Sequence, residues 1–428
     1  MRFVFLLILL VQGVLMSAEL KHIEIKGVKI PVIYEKDTNL PIAGLQIVFQ
    51  KSGSIEDGEL PGLAKMSAKM LSQGTKSLGN VGFAKKLEER AVRFSVTTGV
   101  ETMVMEVSSL KEELKNAIEL VKKIFVEPNL TPKALEQVKT TTLGYLSRKK
   151  KDYDYIASIN LKKILFAGTP LQNPSDGTQE SIQKISLQNI EEFLQKHLVL
   201  KRAIVVVGGD LEFSEAKKLI QELLEPLAVG KSEPLPFYEA SSKQQEIVQK
   251  EKETKQAYIY FGSPYNERVT SDDLHLSRLA MFILGTGGFG SRLMEEIRVK
   301  RGLAYSAYSM ARINKSHSYF TGYLQTKLES ADEAKKLVKE VIADFVAKGA
   351  TQKELESAKK FLLGSEPLRN ETLSQRLSRA FHEFYTGKPL GYSKEELKKI
   401  EKVTLSELND FIKKHSEIEK LSFSIVTQ

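Results

Sequence analysis

Arg298 and Tyr305, seven positions apart, are two side chains that could do chemistry together. Residues 291–298 read as a helix that ends on the arginine, and residues 304–306 open a strand that carries the tyrosine. A helix end and a strand start of that kind can aim a guanidinium and a phenol, both hydrogen-bond donors, at one peptide. Taken singly, the two residues also fit a surface helix position and a half-buried strand aromatic. Just before them runs Gly285-Thr-Gly287-Gly288-Phe-Gly290. This G-x-G-G-x-G is not the dinucleotide-binding spacing; it follows an amphipathic helix instead of a strand, and no Gly-Lys-Ser/Thr comes after it. Its plainest reading is a helix-breaking loop.

Other chemistries lack their residues. Cysteine is absent, which excludes disulfides, thiolate metal sites, a cysteine nucleophile and lipidation through cysteine. The six histidines are scattered, with no pair at three- or four-residue spacing. His197 and His415 stand near helix ends, where a capping or dipole role is expected. No Ser/His/Asp or Cys/His constellation offers another nucleophile. The net charge of +9 is spread along lysine-rich helices, and its one dense run, Arg148 to Lys151, reads as a solvated helix end instead of a nucleic-acid contact.

These side chains must be held by a duplicated scaffold. Thr131-x-Lys133-x-Leu135-Glu136-x-x-Lys139-x-x-x-Leu143-Gly144 returns 220 residues later as Thr351-x-Lys353-x-Leu355-Glu356-x-x-Lys359-x-x-x-Leu363-Gly364. The segment from Ile185 to His197 returns as Val403 to His415, offset by 218. Near-equal offsets in two separate segments imply two copies of one domain, as 428 residues allow. Each copy reads as short alternating strands, then helices, then a hairpin-like pair (92–109 and 304–326), then amphipathic helices. Thr131, Thr351, Ser186 and Thr404 are the expected N-caps. The layout predicts an α+β protein of two homologous domains, each a mainly antiparallel sheet covered by helices on one face. The divisions are a signal peptide at 1–18, an N-terminal domain at 19–228, a Pro/Gly-containing polar linker at 229–250, and a C-terminal domain at 251–428. Met1-Arg2, the apolar run 3–16 and Ser17-Ala18 are the secretory signature. An uncleaved N-terminal membrane anchor is the alternative. Export without cysteine fits a bacterial periplasm.

Residues 62–75 (Gly-Leu-Ala-Lys-Met-Ser-Ala-Lys-Met-Leu-Ser-Gln-Gly-Thr) have the frame of an inverted zinc-peptidase helix, in which H-x-x-E-H sets two zinc-binding imidazoles on one face with a general-base Glu between them. Gly62-Leu63-Ala64, Met70-Leu71 and Gly74-Thr75, together with residues 285–306, resemble the pitrilysin, insulinase and mitochondrial processing peptidase family. The frame covers nearly the whole chain beyond the apolar N-terminal run. In this chain Lys65, Ala68 and Lys69 hold the three active slots, and two ammonium groups repel a dication. The family's third ligand, a Glu on the helix 132–148, aligns with Gly144. Both ligand regions are therefore degenerate, and no metal or other cofactor is expected here.

The resemblance implies that Arg298 binds a substrate carbonyl while Tyr305 donates to the oxyanion of the tetrahedral intermediate. Preorganised donors of this type are worth roughly 2.7–4 kcal/mol each. It also implies a second reading of Gly285, Gly287, Gly288 and Gly290, as a flexible loop facing a peptide chamber. Ser95 and Val96 align with a substrate strand on whose edge a peptide adds, and ordinary sheet core is the alternative for both. The expected function is a non-catalytic, periplasmic subunit of a heterodimeric zinc metallopeptidase, inactive alone. It would lend Arg298 and Tyr305 in trans to a zinc-bearing homologous partner that cleaves peptides or unfolded proteins. A proteolytically inactive structural or peptide-binding homologue is the alternative. No nucleic acid and no membrane span after signal cleavage are expected.

Overall fold

The computed structural model describes residues 17–428, so the segment 1–18 read as a signal peptide lies, but for its last two residues, outside the described residues. Strands β1 (Glu19–Ile25) and β2 (Val28–Lys36) form a hairpin whose two-residue turn, Lys26-Gly27, has positive φ at both positions, the twist-compatible geometry for such a turn. With β3 (Ile42–Gln50), β4 (Arg93–Thr98), β5 (Thr102–Leu110) and β6 (Ala203–Gly209) they make a sheet of order β1-β2-β6-β3-β5-β4. β7 (Tyr238–Glu239), β8 (Glu246–Lys250), β9 (Gln256–Pro264), β10 (Ala304–Ile313), β11 (His317–Lys327) and β12 (Ser422–Thr427) build the second sheet. Its order is β10-β11-β9-β12-β8, with β7 pairing β11.

The two sheets are one topology used twice. Reading β2-β6-β3-β5-β4 against β8-β12-β9-β11-β10, each strand finds its counterpart, and the parallel pair falls at the same place in both, β2 with β6 and β8 with β12. The strands that carry Ser95 and Tyr305 are equivalent, and each ends its sheet with one edge unpaired. All four expected caps form, the hydroxyls of Thr131, Ser186, Thr351 and Thr404 accepting from the backbone N–H three residues on.

Two expectations need correction. The segment 229–250 is not a plain linker, because it supplies β7 and β8 to the second sheet. Nor is each sheet covered on one face by its own helices alone. The main cores do lie between each sheet and its own helices, but the opposite faces are covered by exchange. Helix Tyr153–Leu165 of the first repeat packs on β9 and β12, with Leu161 and Leu165 seated where Gly262 leaves room. Helix Leu373–Tyr385 of the second repeat packs on β2 and β6, with Leu373 and Leu377 over Gly208. The swap is fastened by Arg376, which donates to Glu35 at 2.6 Å and to Asp37 at 2.7 Å.

The two equivalent histidines also differ from the capping role expected of them, since both are buried in side-chain packing. His197 stacks on Phe193 and bonds the Lys51 carbonyl at 2.7 Å. His415 sits between Glu267 at 3.0 Å and Glu417 at 2.8 Å. Burial opposes its charge, but the two carboxylates win and hold its pKa at about 9.

Candidate functional site

The helix Leu63–Leu71 begins at Gly62, whose φ of 92° is left-handed and suits glycine. Asp57 fastens this end, its two oxygens accepting from the N–H groups of Gly62 and Ala64 at 2.7 Å each. Burial pushes the Asp57 carboxyl up to about 7 in spite of those two bonds. Ala68 is buried, and the Lys65 and Lys69 ammonium groups find partners outside their own helix. Lys65 pairs with Asp176, which is nearly buried. Lys69 donates to the Thr142 hydroxyl at 2.7 Å, its pKa lowered by burial and then by Lys65, with Asp176 opposing. Tyr145 donates to Asp176 at 3.4 Å, and its ring lies 6.0 Å from the Lys65 ammonium.

The frame is therefore filled by an ammonium–carboxylate–phenol cluster in which the two motif slots hold cationic donors and the one carboxylate, Asp176, is engaged by Lys65 and Tyr145. A zinc ion needs lone pairs there, so these residues do not fit it. Among the described residues, no group of three His, Cys, Asp or Glu is arranged to hold a metal ion. On the helix Pro132–Lys149 the side chains that reach the frame are Thr142 and Tyr145. Gly144 does not, since a Cβ there would meet nothing closer than the Arg148 guanidinium at 3.9 Å.

The second constellation is assembled by irregular backbone. Helix Leu274–Met281 widens into a π-helical turn, Phe282–Thr286, and the segment carrying Arg298 ends in another, Glu295–Val299; such turns recur at functional sites. Within the first of these turns Gly285 presses on β10 so closely that a Cβ would lie 2.3 Å from the Ser309 backbone nitrogen. Gly288 has φ of 61°, while a Cβ at Gly290 would meet nothing within 4 Å. Pairing of β10 with β11 slips by one residue between Ala304 and Ala307, a bulge that turns Tyr305 outward. The tyrosine is 81% exposed. Its ring lies 4.4 Å from the Arg298 guanidinium, which the ring of Phe289, from the glycine-rich loop, approaches to 4.6 Å. The cation thus lies against two aromatic rings, and among the described residues no side-chain hydrogen bond occupies its N–H groups, which leaves them for a carbonyl oxygen.

Arg298 and Tyr305 are thus brought together. Ser95 and Val96 part ways on β4, the first exposed and the second part of the first core. Phe289 and Asp176 were not anticipated. A large aromatic among glycines was a visible signal for Phe289, whereas nothing in the spacing links Asp176 to Lys65, 111 residues earlier.

Comparison with known proteins agrees with this architecture. The sequence model of Insulinase (Peptidase family M16) matches residues 31–179, and that of the Peptidase M16 inactive domain matches residues 184–362. A Helicobacter pylori protein named non-peptidase homolog YmxG is 46% identical, with 98% of each chain covered. A Bacillus subtilis protein named uncharacterized zinc protease YmxG is 22% identical over 81% of this chain and 84% of its own. The crystal structure of a peptidase M16 inactive domain from Pseudomonas fluorescens superposes with a TM-score of 0.86 at 25% identity, covering 95% of this chain and 98% of that one. Complex III2 from Candida albicans shares the fold, with a TM-score of 0.76 at 15% identity over 95% of each chain.

Proposed function

Since the chain belongs to the insulinase-like peptidase family M16, we propose that it is a non-catalytic subunit of a heterodimeric periplasmic zinc metallopeptidase. The partner is a homologue with an intact H-x-x-E-H helix, which brings the zinc and the general base. This chain contributes the donors: the Tyr305 hydroxyl toward the oxyanion and the Arg298 guanidinium toward a neighbouring substrate carbonyl. The free edges of β4 and β10 offer main-chain pairing to an extended peptide. The observation that carries the reading is the contrast between the two constellations. The metal frame is closed by lysines engaged with Asp176 and Thr142, while Arg298 and Tyr305 are assembled, the tyrosine exposed and the arginine half-buried, without a metal centre of their own.

Co-expression with such a homologue tests it. A mixed complex that cleaves unfolded peptides, with neither chain active alone, is the expected result. A zinc-bearing chain fully active by itself, or no mixed complex, would count against the proposal. The name of the 46% identical relative favours a second reading, a peptide-binding homologue without any catalytic part. That reading is met by a mixed complex whose activity ignores Arg298 and Tyr305.

A further inference from the structure

Between the two repeats lies a cleft of about 580 Å³. The β4–β5 turn and helix Tyr153–Leu165 wall one side, and β9, β10, β11 and helix Leu373–Tyr385 wall the other. Pockets of this size at domain seams, mostly apolar with a few convergent polar groups, are where small ligands bind.

Two cations face into it. Lys162 projects from the exchanged helix and Arg312 from β10, and both side chains are exposed to the cleft. Among the described residues no carboxylate ion-pairs with either. Asp176 acts on Lys162 from a distance, but it is taken by Lys65. Glu101 is the one carboxylate among the lining residues, and both its oxygens are engaged. One accepts from the Ser316 N–H at 2.8 Å and hydroxyl at 2.6 Å, the other from the Tyr385 hydroxyl at 2.9 Å. His317 adds no charge, because burial pushes its pKa down to about 4. Enclosure by the cleft walls, and then the Arg312 guanidinium, lower the Lys162 pKa although its side chain keeps contact with solvent. The donors to Glu101 are neutral and do not cancel its charge, but it ion-pairs with neither cation, and two like charges lining one half-enclosed cleft are stabilised by a further anion. The wall around them is mixed, and its apolar and aromatic part is Leu161, Tyr260, Tyr308, Met310 and Tyr319.

We infer that this cleft binds a carboxylate carried on an apolar or aromatic body, the carboxylate held by Lys162 and Arg312 and the body lying on Tyr308, Met310 and Tyr319. A guanidinium fork and an ammonium together match the two oxygens of one carboxylate. That chemistry is offered by the C-terminus of a peptide with a hydrophobic last residue or by a small hydrophobic acid. The site needs no partner chain and does not use Arg298 or Tyr305.

The test is calorimetric titration of the full chain with three probes. They are a hexapeptide ending in Leu-Phe with a free carboxylate, the same peptide as its C-terminal amide, and N-acetylphenylalanine. The amide is expected to bind at least about 10-fold more weakly than the acid. Lys162→Met and Arg312→Gln should each weaken the acid by about 10-fold or more, while Arg298→Ala leaves it unchanged. Among the described residues neither cation has an ion-pair partner, so both variants should keep the wild-type melting temperature. N-acetylphenylalanine binding as tightly as the peptide acid identifies a small acid as the ligand, and binding by the peptide acid alone identifies a chain terminus. Equal binding of acid and amide, unchanged affinity in both variants, or no binding at millimolar probe overturns the inference.

Discussion

Replacing an imidazole by an ammonium exchanges a lone pair for three N–H donors, and at positions 65 and 69 those donors are already occupied by Asp176 and Thr142. The loss of zinc is thus built into the packing around the frame helix, and restoring the motif letters alone does not undo it. A graft of Lys65→His, Ala68→Glu and Lys69→His should retain zinc after dialysis only when a carboxylate is added at Thr142 or Tyr145. The same graft with Gly144→Glu should retain none, as metal analysis of the dialysed protein would read. His415 allows a second residue-scale prediction. Its folded pKa of about 9 lies above the ordinary 6.5, so its contribution is fully present below pH 6.5 and is lost as pH rises through 9. That separation corresponds to about 3 kcal/mol. His415→Gln leaves Glu267 and Glu417 buried without their cation and should cost about 3–5 kcal/mol at pH 6.5. Denaturant titrations at pH 6.5 and 9.5 should show most of that difference gone at the higher pH. An equal difference at both would contradict the assignment.

At the scale of elements, the glycine-rich loop divides into positions fixed by packing and positions left free. Gly285→Ala forces the π-helical turn off β10 and should destabilise the chain by about 1–3 kcal/mol. Gly290→Ala meets nothing and should be silent, which paired thermal melts would check. Much of this level was legible in the sequence. The repeated Thr-x-Lys-x-Leu-Glu segments gave the duplication, and the capping residues, whose signals are local, fell where expected. The Arg298 and Tyr305 pairing was legible because helix end and strand start are close in sequence. What escaped reading is non-local. The strands within residues 238–250 pair with β11 and β12, whose alternation gives no sign of a partner so far away. The polar Ser/Gln/Lys/Glu composition there reflects a strand half exposed at a sheet edge. The β10 bulge that turns out Tyr305 leaves no residue signature, and Gly144 was placed by alignment when only helix rotation decides which side chain reaches the frame.

For the whole molecule, the exchanged helices make the two repeats one cooperative body. Without residues 229–428 the first repeat exposes Ile33, Val48, Ile204 and Val206, which helix Leu373–Tyr385 otherwise covers. Expressed separately, the halves should aggregate, and expressed together they should recombine into a complex with the intact chain's melting behaviour. Two independently soluble, monomeric halves would refute that coupling. The proposed completion of another subunit's site rests on this pairing of a closed metal frame with an open donor pair. The most direct measurement is kcat for peptide cleavage by this chain reconstituted with an H-x-x-E-H-bearing homologue, comparing wild type with Tyr305→Phe and Arg298→Ala. The account predicts a loss of roughly 10²–10³ in kcat for Tyr305→Phe and a clear loss for Arg298→Ala, with the mixed complex intact. Undiminished turnover in both variants, in a complex still formed, would contradict it.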